Sequence, residues 1–152
     1  MVNSKKIMSD LVKNFYKKRD KFEPWQVAKY DSTSLLVLLN GYSIFRVLKD
    51  EILPIRENER GIKGENIRKM FDADIPEDYK KAENVEINKM YIPTTKKFYN
   101  CLDDVCYFDN DLMKYLDNKT DYAFYYRDAK SPFYIIAGRD YKVALVLPVK
   151  IK

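Results

Sequence analysis

The sequence predicts an α+β fold, with helices on one face of antiparallel sheet and the chain arranged as two similar halves within a single domain. Three observations carry this. An amphipathic helical stripe opens the chain, an Asn-Gly hairpin follows it, and the last third reads as a capped helix succeeded by three strands. The halves span about 5–53 and 97–152, joined by a connecting segment over 54–96. No residue-level repeat links them, so the likeness is one of element order.

Apolar residues recur as Ile7/Met8, Leu11/Val12 and Phe15/Tyr16, the step of a single helical face, and predict a helix from Ile7 to Arg19. Ser4 reads as its N-cap. Glu23-Pro24 ends it, because proline disfavours helical geometry in the residue before it. Lys6, Lys13 and Lys17 share the outer side, and Lys18, Arg19 and Lys21 close the C-terminal end, where the helix dipole favours cations.

Trp25 to Tyr30 predicts a strand, Asp31-Ser32-Thr33-Ser34 a turn, Leu35 to Leu39 a buried strand, and Tyr42 to Leu48 its return across Asn40-Gly41. From Lys49 to Asn84 the chain is charged and weakly periodic, and reads as a long surface connection with a short helix over Glu65 to Phe71. Val85 to Ile92 is consistent with strand, ended by Pro93. Lys97 to Leu102 predicts a strand, Asp109 caps a helix carrying Leu112, Tyr115 and Leu116, and Tyr122–Tyr126, Phe133–Ala137 and Val143–Val149 predict three strands.

At 152 residues, 46% hydrophobic and 34% charged with only 4 Gly, the chain has the composition of a folded domain. The net charge of +5 permits contact with nucleic acid without requiring it. No secretion signal precedes the first helix, and the longest apolar run, Leu35 to Leu39, is far short of a membrane span. A cytoplasmic protein without membrane association is expected, with Cys101 and Cys106 as reduced thiols.

The chemistry is sparse. There is no histidine, the commonest general base and metal ligand. Gly61 and Gly64 fit neither a Walker loop nor a dinucleotide fingerprint. Asp103, Asp104, Asp109 and Asp111 form an acidic cluster without the spacing of a calcium loop, which a turn and a helix N-terminus explain more simply. The 13 tyrosines and 8 phenylalanines raise the idea of base stacking, but the alternation at Tyr122, Phe124 and Tyr126 is that of a half-buried sheet face. No catalytic residue, metal ligand or cofactor is expected.

Two stretches resemble the bacterial DNA sliding clamp, the polymerase processivity factor. Phe108 to Leu116, Ser131-Pro132-Phe133-Tyr134-Ile135, and Leu147-Pro148-Val149-Lys150-Ile151 look like that family's closing helix, its Ser-Pro strand and its terminal Met-Pro-aliphatic-Arg-aliphatic tail. Leu36 to Tyr42, followed by Phe45-Arg46, looks like its strand ending in Thr-Asp-Gly-His-Arg, with Asn40 for Asp and Tyr42 for His. The resemblance implies a clamp-like domain of two β-α-β-β-β-type halves that binds duplex DNA without reading sequence, binds replication proteins, or does both.

On that resemblance, Lys13, Lys17, Lys18 and Arg19 would meet the phosphate backbone, a salt-dependent contact. A solvated helix face accounts for the same lysines equally well. Gly41, Tyr42, Leu147, Pro148, Val149 and Lys150 would form the groove for client peptides, although Tyr42 and Lys150 lack the hydrogen-bond geometry of the histidine and arginine they replace. A core strand is the plainer reading of Leu147 and Val149, and a turn that of Gly41. A family chain holds three such domains and closes into a ring; a homo-oligomer of this shorter chain would need a head-to-tail interface that closes by rotation. The alternative function is a phage or mobile-element interaction module that mimics a clamp surface to engage or inhibit a host protein.

Overall fold

The computed structural model describes residues 2–17, 27–39, 42–51, 62–92 and 97–150. The chain divides into two compact units, Val2–Asp74 and Ile75–Lys152.

In the first unit, helix α1 (Ser4–Lys17) precedes an antiparallel meander of β1 (Val27–Lys29), β2 (Ser34–Leu39) and β3 (Ser43–Leu48), and α2 (Ile62–Asp72) closes the unit. The first part of the α1 stripe is observed, with Ile7, Met8 and Leu11 buried while Lys5, Lys6 and Lys13 are exposed; the side chains of Val12, Phe15 and Tyr16 lie outside the described residues. Its cap differs from expectation. Asn3 Oδ1 accepts from the Lys6 N–H at 3.1 Å, satisfying a first-turn donor. Ser4 lies inside the helix, where its buried hydroxyl accepts from the Leu48 N–H at the end of β3 (3.1 Å).

The β2–β3 hairpin forms as expected, but its register leaves three residues rather than two in the connection: Leu39 lies opposite Ser43 and Val37 opposite Phe45, so the return strand begins one residue after Tyr42. Asn40 and Gly41 lie outside the described residues, but the Tyr42 N–H returns to the Leu39 carbonyl at 3.2 Å. The β1–β2 turn is built on Asp31, whose Oδ1 accepts from the backbone N–H groups of Thr33 and Ser34 and from both their hydroxyls. Arg46 secures that turn from β3, donating to Asp31 Oδ2 at 2.7 Å and to Ser34 Oγ at 3.0 Å. Its guanidinium lies 4.8 Å from the Tyr30 ring centroid, and Tyr30 packs edge-on against Phe71 of α2.

Part of the segment read as a long surface connection is therefore core. Phe71 is fully buried, Ile67 nearly so, and the Tyr30 hydroxyl donates to Asp72 at 2.5 Å. The weak periodicity misled because only one narrow edge of α2 is apolar, with exposed Glu65, Lys69 and Met70 around it.

The second unit holds two antiparallel sheets. One has the order β10 (Tyr141–Val146), β9 (Phe133–Ala137), β8 (Tyr122–Tyr126), β4 (Lys80–Lys81); the other runs β5 (Val85–Ile92), β6 (Lys97–Leu102), β7 (Cys106–Asp109). The predicted strands 122–126 and 133–137 appear with those bounds. Three rings join the sheets: Phe108 stacks on Phe124 with centroids 5.8 Å apart and meets Phe133 at 5.2 Å. Gly138 turns β9 into β10 at φ +65°.

Two further expectations change here. The helix expected after Asp109 is a six-residue 3-10 segment, Asn110–Tyr115, with Asp109 accepting from the Asp111 N–H. Strand β10 stops at Val146, three residues before the predicted end at Val149, because Pro148 has no N–H to donate and restricts Leu147. The following segment crosses to the edge of β7, where the Val149 N–H donates to the Tyr107 carbonyl at 2.7 Å.

The burial of α2 is testable. Phe71→Ala is expected to destabilise the protein by about 3–5 kcal/mol in urea denaturation; a change under about 0.5 kcal/mol, as for a surface position, would return this segment to the status of a connection.

Candidate functional site

A cleft in the second unit has a volume of about 480 Å³. It is lined by Lys80 and Lys81 of β4, Glu83 and Asn84 on the way into β5, Cys101 of β6, Asp103 and Asp104 of the following turn, and Tyr126 of β8. Its size suits a small ligand.

Asp103 and Asp104 occupy the turn between β6 and β7 with φ of 50° and 60°. This left-handed region is open to aspartate because its short polar side chain bonds locally. The Val105 N–H closes the turn on the Leu102 carbonyl at 3.1 Å. The turn aims the Asp103 carboxylate at the start of β5, where it accepts from the N–H groups of Asn84 (3.0 Å) and Glu83 (3.1 Å) and from the Tyr126 hydroxyl (3.2 Å). These donors, led by the Asn84 N–H, hold the Asp103 pKa below the usual carboxylate range.

The thiols are unreactive by environment. Cys101 and Cys106 are buried and free, and their strand registers, with Cys101 opposite Tyr107 and Cys106 opposite Leu102, place them on opposite faces of the β6–β7 ladder. Burial raises both pKa values, that of Cys106 to about 12, and Cys101 is raised further by donating to Asp104 at 3.6 Å. Burial likewise raises the Tyr126 phenol, assisted by the Asp103 carboxylate. The Lys80 ammonium lies 5.5 Å from the Tyr126 ring centroid. The cleft thus offers two lysine ammoniums, carboxylates and a protonated thiol and phenol, an arrangement suited to holding a charged ligand.

None of the residues singled out from the sequence as DNA- or peptide-binding lines this cleft. Lys13 is exposed on α1. Lys17 ends that helix, and its side chain lies outside the described residues, as do Lys18, Arg19 and Gly41. Tyr42 is half-buried in the first unit, whereas Leu147, Pro148, Val149 and Lys150 form the tail of the second. Leu147 is 43% exposed and is no core strand residue. Of the acidic cluster, Asp103 and Asp104 make the turn and Asp109 the 3-10 cap. Among the described residues, no group of three or more His, Cys, Asp or Glu is placed to hold a metal ion, and no helix is long and apolar enough to cross a membrane.

Comparison with protein-family models, curated proteins and solved structures gives no match. The site rests on its own geometry.

The site missed in the sequence had one local signal. Asp103-Asp104 is a pair able to take left-handed φ between two apolar runs, and so marks a hairpin turn. The partners of Asp103 lie 19 and 20 residues upstream, beyond any local pattern.

Two measurements check this description. Because the folded pKa of Asp103 lies below the unfolded value of about 3.9, its stabilisation is fully present above that value and is lost as pH falls through the folded one. The Glu83 and Asn84 amide resonances should titrate with a midpoint below about 3.9; an ordinary midpoint would remove the carboxylate from these N–H groups. With iodoacetamide at pH 8, both thiols should stay unmodified in the folded protein and react on denaturation, whereas rapid native labelling would contradict their burial.

Proposed function

We propose that this chain is a non-catalytic, clamp-like binding module that associates with duplex DNA, with replication proteins or with both, as a processivity factor does in the cytoplasm. The observation that carries the reading is the order of elements: α1 leads into β1–β2–β3, and the 3-10 helix leads into β8–β9–β10, each set of three strands pairing antiparallel in sequence. A helical segment followed by a three-stranded meander, twice in one chain, supports a clamp-type reading alongside the resemblance of the Ser131-Pro132 stretch and the Leu147-Pro148-Val149-Lys150 tail, while among the described residues no strand precedes α1 as a β-α-β-β-β half would have it.

DNA contact is assigned to the exposed side of α1, where Lys5, Lys6 and Lys13 stand outward, with Lys17, Lys18 and Arg19 following in the sequence. Such lysines neutralise phosphates and release counterions, which gives affinity without base reading. A non-catalytic role accords with a histidine-free chain whose cleft holds Cys101 and Tyr126 protonated. The interaction-module reading is favoured by the tail, which exposes Leu147 beside Lys150.

Light scattering over a concentration series, with and without duplex DNA at two salt concentrations, separates the readings. A closed oligomer with salt-sensitive DNA association is expected; a monomer indifferent to DNA would leave the interaction module in its place. In the binding isotherms, Lys13→Ala should weaken association equally across DNA sequences and reduce the salt slope by about 1.

A further inference from the structure

The β5–β6 pair contains a conflict of register. At the start of β5, Val85 faces Leu102 and Glu86 faces Cys101; at its end, Tyr91 faces Phe98 and Ile92 faces Lys97. Carried forward, the first alignment would set Met90 against Lys97, but Ile92 is found there, two positions later. The difference is absorbed by two irregularities, one between Glu86 and Lys89 and one between Lys89 and Met90. Each inserts one residue into β5.

The fault is marked by Asn100. On β6 it falls between the partners of Glu86 and Lys89, where the ladder to β5 is broken. On its other side it faces Phe108, and it is fully buried with neither amide Oδ1 nor Nδ2 hydrogen-bonded. An unpaired buried amide costs about 1–3 kcal/mol, so the interrupted register is held against a penalty by constraints at both ends.

Those constraints are visible. At the front, the Asp103 carboxylate grips the N–H groups of Glu83 and Asn84 and fixes where β5 begins. At the back, Ile92 pairs with Lys97. A one-residue slip would turn the strand over, but a two-residue slip keeps each residue on its own face of the sheet.

We propose that β5 is a two-register strand whose position is set by whether Asp103 holds Glu83 and Asn84. With the latch closed, the strand is faulted as described. With it open, the front of β5 advances by two residues, about 7 Å, and the whole strand adopts the alignment of its rear half, with Ile87 against Leu102, Asn88 against Cys101 and Met90 alone against Tyr99. The cleft surrounds this latch, sharing Glu83, Asn84 and Asp103 with it. A cationic ligand that draws the Asp103 carboxylate away therefore moves the strand, which makes the cleft a control point for the β5–β6–β7 sheet.

The test is NMR of the full chain, reading cross-strand contacts of Leu102. Asp103→Asn keeps a residue that tolerates left-handed φ but removes the charge that grips the two N–H groups. In the wild type the Val85–Leu102 contact should dominate, with any Ile87–Leu102 species at about 10% or less. In Asp103→Asn the Ile87–Leu102 contact should rise at least several-fold. A variant that folds and keeps only Val85–Leu102 overturns the proposal. A second variant deletes Asn88 and Lys89, which makes the two alignments continuous. It should fold with a single register and melt above the wild type; melting below it, or failing to fold, also overturns the proposal.

Discussion

The second unit depends on one carboxylate. Asp103 gathers two backbone N–H groups and a phenol from a segment some twenty residues upstream and from β8, joining the β6–β7 turn to the β4–β5 junction. Without that charge, the Glu83 and Asn84 N–H groups and the Tyr126 hydroxyl would lose their common acceptor. The demand on the turn follows from it. Two consecutive aspartates accept left-handed φ because the geometry that strains them also aims the side chain at its donors.

Asp31 plays the corresponding part in the first unit, at the β1–β2 turn, where it collects four donors from Thr33 and Ser34 and an ion pair from Arg46. Both units therefore place a carboxylate at a hairpin turn, satisfied within the turn and by Arg46 at Asp31 and by distant segments at Asp103, while the apolar core forms elsewhere: Val37, Phe45 and Phe71 in one, Phe108, Phe124 and Phe133 in the other. The polar turns fix alignment, and the rings supply burial.

What was legible in the sequence was what short-range pattern encodes. The α1 stripe, the β2–β3 hairpin and the strands at 122–126 and 133–137 each announce themselves by periodicity or turn chemistry. Strand β7 was missed because its four residues are too few to show alternation. Helix α2 was underestimated because two buried side chains, Ile67 and Phe71, carry it. The cleft was invisible for a different reason: Lys80, Cys101 and Tyr126 are brought together by strand pairing, and no spacing in the chain encodes it. None of the residues named from family resemblance lines that cleft.

Strand β4 has one more consequence. It is a sheet edge of only two residues, both exposed lysines. An open edge invites a strand from another molecule, and two ammonium groups at this one repel a like edge and must be desolvated before any backbone can approach. At concentrations where bare edges fuse into fibrils, this border should keep neighbouring chains apart, and neutralising Lys80 and Lys81 would exchange colloidal stability for self-assembly.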